Sequence, residues 1–412
     1  MDRGSGTGRE GGRVIPQSMP LASVDPQEGS RISSGLPELD RVLGGGLMKR
    51  SAVLVGGEPG IGKSTLLLQA AASAKTRGRI LYVSGEESAG QIRMRADRLG
   101  LFSDAAQRGE RIEICCSGRL SDIESIIAAV NPVIIIIDSI QTLVSAEAGP
   151  MPGTINQMTF CSQELISWVK EHDAVLFLVA HVTKDGIISG PKSLEHMVDT
   201  VLYFEQNHGD TRFLRAVKNR FGSVDEIGIF EMGEGGLSTV EDPSLLFLVR
   251  REGDIPPGVA TAAVLEGSRT LLVEIQALTV PSKGSISRVF SDRIDSPRVS
   301  RIAAIIEKHL KLRLSDQDLY VNVAGGIRIA EVGVELPLAA AIYSARTGMP
   351  LSGQTAMAGE LTLAGELRPV RRSSGRLRAA LNLGYDSFLG PDGEGGSATA
   401  KDLKEAIALL FT

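Results

Sequence analysis

Nine consecutive residues, Gly57, Glu58, Pro59, Gly60, Ile61, Gly62, Lys63, Ser64 and Thr65, could together hold a chain of phosphates. They follow an apolar run at 52–55 and open a helix-like stretch that reaches residue 73. At such a junction of strand, loop and helix, backbone N–H groups converge on phosphate oxygens, and the helix N-terminus adds partial positive charge. Lys63 would then reach the β- and γ-phosphates, and the Ser64 hydroxyl would ligate Mg²⁺. A plain glycine-rich turn gives no reason for the Gly-Lys-Ser triplet, so a nucleoside triphosphate is the expected ligand.

Further groups stand where phosphoryl-transfer chemistry needs them. Asp138 ends the apolar run 133–137; a carboxylate there can hold Mg²⁺ through water beside Ser64, the plain alternative being a turn cap. Glu86 and Glu87 follow the run 80–84. Either can orient and polarise an attacking water or be solvated at a helix start, and Glu86 is preferred. His181 ends the run 174–180, where it can sense a γ-phosphate or satisfy a local backbone group; the sequence leaves both open. Lys218 and Arg220 alternate, which in a strand puts both on one face and lets both reach one polyphosphate. The plain alternative is a basic hairpin on a solvated surface.

The elements that must position these groups alternate in type from residue 33 to about 241. Strands at 80–84, 133–137, 174–180 and 200–204 are separated by helices after the phosphate loop and at 89–99, 123–130 and 156–171. Continuous apolar strands between amphipathic helices predict an α/β fold with a mostly parallel sheet covered on both faces. Residues 217–232, with Gly222 near the middle, read as a late β-hairpin. A charged, proline-bearing linker at 244–258 separates the ATPase-like domain, 31–243, from a second α/β unit at 259–412. That unit shows strands at 260–265 and 271–277, helices at 299–312, 336–346 and 377–383, and a last helix from 400. Residues 1–30 read as a flexible lead-in.

A chain of 412 residues with 42% hydrophobic content exceeds one comfortable core. No apolar run approaches the length of a membrane span, and no signal-peptide core is visible, so a cytoplasmic protein with no membrane partner is expected. The three cysteines, Cys115, Cys116 and Cys161, give no zinc or disulfide pattern and read as reduced, buried thiols. A net charge of −5 argues against wholesale coating of nucleic acid, while leaving room for local basic patches.

Gly44 to Gly46, the phosphate loop, Val-Ser-Gly-Glu-Glu-Ser at 83–88, the Asp138 strand, His-Val-Thr-Lys-Asp-Gly at 181–186 and Lys-Asn-Arg-Phe-Gly at 218–222 together resemble the bacterial RadA (Sms) family. The resemblance covers about residues 33–412. It implies a RecA-like P-loop ATPase domain followed by a Lon-protease-like α/β domain, with ATP and Mg²⁺ as cofactors. It also implies a homo-hexameric ring helicase that drives branch migration in homologous recombination and DNA repair, with single-stranded and branched DNA and the RecA recombinase as partners. By the same resemblance Lys218 and Arg220 enter the neighbouring subunit's nucleotide site and join Lys63, Glu86 and His181 in catalysis.

The resemblance implies DNA on loops facing the ring channel, 146–157 and 182–196 with Lys184 and Lys192; by their residues alone these read as ordinary surface loops. The second domain adds a basic segment at 283–313, including Arg288 and Arg298, with eight Lys or Arg against three acids. It also carries a cluster of Arg368, Arg371, Arg372, Arg376 and Arg378; both basic runs can bind duplex phosphates or be solvated helix faces, and the sequence leaves both open. Where a Lon protease carries its nucleophilic serine this sequence has Glu335, and where it carries its lysine there is Ser374; no peptidase activity is expected. The family's N-terminal four-cysteine zinc module is absent from this sequence, so no zinc is expected and contact with RecA is left open. A KaiC-like signalling ATPase would share the 44–64 region, but would not call for the Lon-like domain.

Overall fold

The computed structural model describes residues 20, 22 and 30–411, apart from 102–109, 150, 182–191, 207–208, 241, 250, 252–254, 283, 285–286, 352–353 and 392–396. Among the described residues a short ribbon, β1 (Arg31–Ile32) and β2 (Leu47–Met48), precedes a nine-stranded sheet. Its strands are β3 (Ser51–Gly57), β4 (Ile80–Ser84), β5 (Ile112–Cys115), β6 (Ile134–Asp138), β7 (Val175–His181), β8 (Thr200–Gln206), β9 (Thr211–Asn219), β10 (Ile227–Gly233) and β11 (Gly236–Thr239). Their order is β11-β10-β9-β8-β3-β7-β6-β4-β5. The run from β8 to β5 is parallel throughout, and β9 to β11 add an antiparallel flank. The fold is α/β, as expected.

The central strands are buried on both faces, which is why their sequences are continuously apolar. One face packs on Leu66, Leu67 and Ala71 of the helix Lys63–Ser73, and the other on Leu165, Ile166 and Val169 of the helix Ile155–Glu171. The helix Ala89–Arg98 starts with a reciprocal cap: the Gln91 N–H donates to the Ser88 hydroxyl, and the Ser88 N–H donates to Gln91 Oε1. Parallel strands bring their carboxyl ends to one edge. There Gly57 lies in register with His181 and Ser84 with Asp138, the edge where open α/β sheets hold ligands.

A second sheet orders β14 (Val289–Ser291), β15 (Gln317–Val323), β13 (Arg269–Pro281), β12 (Val259–Glu266), β16 (Thr355–Met357), β19 (Ser387–Pro391) and β20 (Ala398–Ala400). β17 (Glu360–Leu361) and β18 (Leu367–Arg368) form a separate small hairpin. The helices Ser296–Leu310, Glu335–Thr347 and Leu403–Leu410 share one core with this sheet. The helix Ser373–Asn382 covers the opposite face, its Ala380 in one buried cluster with Phe388 of β19.

The structure departs from the sequence expectation in several places. The late hairpin is longer than 217–232: its first strand starts at Thr211 and ends at Asn219, so Arg220 lies beyond the strand it was expected to share with Lys218. Residues 244–247 of the expected linker 244–258 are packed and hydrogen-bonded. The Ser244 hydroxyl accepts the Leu272 N–H, the Phe247 carbonyl accepts the Glu274 N–H, and Phe247 is fully buried. Cys116 is exposed, although Cys115 and Cys161 are buried.

The two sheets meet through a continuous interface. Phe213, Ile227 and Ile229 of the first sheet enter the second sheet's core. Buried Glu38 takes a two-pronged ion pair from Arg269 at 2.6 and 2.8 Å and also accepts the Ile229 N–H. A paired and hydrogen-bonded buried carboxylate of this kind fixes orientation, because removing either partner leaves a charge without water.

Candidate functional site

A cavity of about 310 Å³ opens at the carboxyl edge of the first sheet. Gly60, Gly62, Lys63, Ser64, Thr65, Glu86, Glu87, Asp138 and His181 line it, joined by Ser84, Arg95 and Arg98. Two glycines have physical reasons to be there. A Cβ at Gly57 would stand 2.5 Å from the Phe204 carbonyl oxygen. Gly62 has φ 112° at the cap of the following helix, and a Cβ there would meet Met232 Cε at 2.5 Å.

Lys63 is 4% exposed and lies across its own loop, donating to the carbonyls of Gly57 at 2.7 Å and Glu58 at 2.9 Å. Burial lowers its pKa to about 8, against the opposing pull of Asp138 and Glu86. Asp138 accepts a 2.6 Å hydrogen bond from the Tyr82 hydroxyl. That phenol is held well above its ordinary pKa by burial and by the adjacent carboxylate, so it remains a donor. A serine hydroxyl and a carboxylate lining one cavity are an oxygen donor set suited to Mg²⁺, and Gly60 opens onto free space at the cavity where a phosphate can lie; the residues present fit the cation that the loop implies.

Two neighbouring glutamates have different surroundings. Glu86 accepts from the Ser139 hydroxyl at 2.8 Å, lies 3.7 Å from His181 Nε2, and keeps 51% of its side chain exposed. Glu87 is bound to the Arg95 guanidinium. The pairing leaves Glu86 as the carboxylate open to a water. His181 Nδ1 is buried with no hydrogen-bond partner among the described residues.

Lys218 and Arg220 are engaged within the protomer. The Lys218 ammonium donates to the carbonyls of Glu195 at 2.7 Å, His196 at 3.1 Å and Val198 at 2.7 Å, at the end of the helix Lys192–Met197. Burial, then the charge of Arg220, lowers its pKa. Arg220 pairs at 3.1 Å with Asp199, a buried carboxylate that also accepts the Ala52 N–H of β3. The register slips between Val201 and Leu202, so Val217 is an extra residue in β9 and Lys218 still faces Val201.

The expected DNA contacts are scattered. Lys184 lies outside the described residues, and Lys192 is exposed at the start of its short helix. Segment 146–157 carries no Lys or Arg, and Gln157 ties it back to Ser145. Arg288 is paired with Asp318 at 2.6 Å and lies over the Phe290 ring. Arg298 spends its donors on the Ala330 and Glu331 carbonyls, within 3.8 Å of Glu335. Arg376 cannot serve as a phosphate contact, because it is fully buried against Glu331 and the Ala263 carbonyl. Glu335 is likewise enclosed, bound by Arg301 and by the Leu361 N–H at 2.8 Å; burial raises its pKa against those partners. Ser374 lies in a different hollow, with Arg372 and Arg378.

Tyr82, Ser139, Arg95, Arg98 and Asp199 shape these sites and were not singled out from the sequence. For Arg95 and Arg98 a signal existed: they are three apart on a helix whose buried side is set by Ile92 and Ala96.

Residues 19–186 match the AAA domain family, and residues 293–394 match the family of subunit ChlI of Mg-chelatase. The DNA repair protein RadA of Treponema pallidum (strain Nichols) is 58% identical over 377 residues, covering 92% of this chain and 81% of that protein. The RadA proteins of Brucella abortus (strain 2308) and Bacillus subtilis (strain 168) are 46% and 42% identical over 93% and 92% of this chain, and each is covered over 82% of its length. Among solved structures, the KaiC-like protein PH0186 of Pyrococcus horikoshii OT3 aligns with 51% of this chain and 99% of its own, at 21% identity and a TM-score of 0.43. No helix among the described residues is long and apolar enough to cross a membrane.

Proposed function

The chain belongs to the RadA family of DNA repair proteins, and on that premise we propose that it is a DNA-dependent ATPase working as a homo-hexameric ring helicase. In this reading it moves along single-stranded and branched DNA and drives branch migration of recombination intermediates, alongside a RecA recombinase. The observation that carries the chemical part is the convergence of Lys63, Ser64, Glu86, Asp138 and His181 on one cavity at the carboxyl edge of the sheet.

The geometry supports the following roles. With ATP present, Lys63 exchanges the Gly57 and Glu58 carbonyls for β- and γ-phosphate oxygens, which restores its full charge. Mg²⁺, held through Ser64 and Asp138, would neutralise charge on the β- and γ-oxygens. Glu86 orients the attacking water and takes its proton as the oxygen bonds to the γ-phosphorus. The bond to the bridging oxygen breaks, and ADP leaves with that electron pair. His181, 3.7 Å from Glu86 and with Nδ1 unpaired among the described residues, responds to the γ-phosphate.

Lys218 and Arg220 act on the neighbouring subunit's nucleotide, where they stabilise transition-state charge. To reach it Lys218 must release three carbonyls at the end of the helix Lys192–Met197, and Arg220 must release Asp199. The exchange therefore ties hydrolysis next door to the segment that follows β7, where DNA is expected to bind. The second domain serves as a ring scaffold and DNA-binding surface without peptidase activity, because Glu335 and Ser374 supply no nucleophile and base pair.

The test is ATP hydrolysis with and without single-stranded DNA, beside Lys63→Ala, with the mass in ATP read by light scattering. Stimulation by DNA in a hexamer-sized species, lost in Lys63→Ala, supports the motor. Hydrolysis indifferent to DNA in the wild-type protein overturns it.

A further inference from the structure

Arg95 stands in the nucleotide cavity with one of its two terminal nitrogens unused. Its side chain is 19% exposed and its Nη2 binds Glu87, while Nη1 is buried with no hydrogen-bond partner among the described residues. The helix that carries it cannot easily turn away. Its first turn is fixed by the Ser88 and Gln91 cap, and its inner side is anchored by Ile92 and Ala96. The guanidinium also lies close enough to Tyr82 for its charge to act on the phenol that holds Asp138.

A guanidinium cannot shed its charge and offers a planar fork of donors. An unmatched buried donor is costly, so a half-used fork in this cavity calls for an acceptor that arrives with the ligand. Carboxylate and phosphate oxygens are the acceptors that match such a fork. Asp138 takes the Tyr82 hydroxyl and Glu86 faces the Ser139 hydroxyl and solvent, and the cavity between Lys63 and these carboxylates has room for a phosphate group as the arriving acceptor.

We propose that Arg95 is a γ-phosphate ligand supplied by the subunit that binds the nucleotide, and that Glu87 is its resting partner in the absence of ATP. The site thereby distinguishes ATP from ADP within one subunit, independently of Lys218 and Arg220 from next door. Glu87 is then a positioning residue, and the pair accounts for two adjacent glutamates with separate work. This inference rests on the ATPase reading given above.

The test is equilibrium binding of Mg-AMP-PNP and Mg-ADP to the full chain by titration calorimetry, for wild type, Arg95→Ala, Arg95→Lys and Glu87→Gln, each checked for an unchanged thermal transition. Arg95→Ala is expected to weaken AMP-PNP by about tenfold or more and ADP by no more than about twofold. Arg95→Lys recovers part of the loss, since a lysine restores charge but not the fork. Glu87→Gln folds with its neighbour released and tightens AMP-PNP while leaving ADP unchanged. Equal loss for both nucleotides, or no loss for either, overturns the role of Arg95 and leaves the ATPase reading standing. A wild-type protein that binds neither nucleotide overturns both.

Discussion

Glu86 and Glu335 sit at corresponding kinds of place, each beside the start of a helix that packs on a sheet, yet their surroundings are opposite. Glu86 keeps 51% of its side chain exposed and holds one neutral donor, the Ser139 hydroxyl, at 2.8 Å. Glu335 is fully enclosed, with Arg301, Arg298 and the Leu361 N–H turned on it. The same contrast runs through the two halves. In the first, Lys63 rests on carbonyls that a phosphate can replace. In the second, the pairs of Arg376 with Glu331 and Arg251 with Glu274 are closed. A carboxylate with spare capacity can do chemistry, whereas one saturated by guanidinium holds structure.

Exchanging single groups tests that contrast. The largest effect is expected from Glu86→Gln, which keeps the shape and removes the proton acceptor: kcat should fall by about 10²–10⁴ with nucleotide affinity retained. A kcat within a few-fold of wild type would place the water-activating group elsewhere. In the second half, Glu335→Ala leaves Arg301 and Arg298 facing an empty buried position and should cost about 3–5 kcal/mol in urea unfolding. Its ATP turnover per folded molecule should stay near wild type. Loss of turnover without loss of stability would mean that Glu335 works in chemistry after all.

The smallest effect concerns pH. Lys63 is depressed in the free protein to about 8 and regains charge against phosphate, so nucleotide affinity should weaken as pH rises through 8, by at most about tenfold per pH unit. For the protein without nucleotide the sign is opposite. The unfolded chain binds the proton more tightly, so this group adds stability as pH rises from about 8 toward its ordinary value of 10.5. Affinity titrations between pH 7 and 9.5 read the first effect, and Lys63→Arg should flatten the curve.

The sequence made the nucleotide cavity visible because its parts are local. A glycine-rich loop between strand and helix, and a carboxylate or histidine closing an apolar strand, are patterns within ten residues, and the parallel sheet brings all those ends together. Pairings across distance were hidden. Nothing near Arg376 in sequence announces that Glu331 will bury it, so it read as one arginine in a basic cluster. The different surroundings of Glu86 and Glu87 come from Arg95, on the helix that follows them. Strands of three residues, such as β14, β16 and β20, are too short to show an alternation. Arg220 fell off its strand because β8 begins at Thr200, so that β9 loses its partner after Asn219, a limit that nothing near Arg220 in sequence marks.

The claim that joins the parts is that Lys218 and Arg220 complete a site on the next subunit. The direct measurement is DNA-stimulated ATP hydrolysis in mixtures of Arg220→Ala and Lys63→Ala protein, each inactive alone, across a range of ratios. Inter-subunit catalysis predicts that activity returns in the mixtures and peaks near equal proportions, where intact sites form between one variant's Lys63 and the other's Arg220. Mixtures that stay inactive at every ratio, although the subunits exchange, would contradict it.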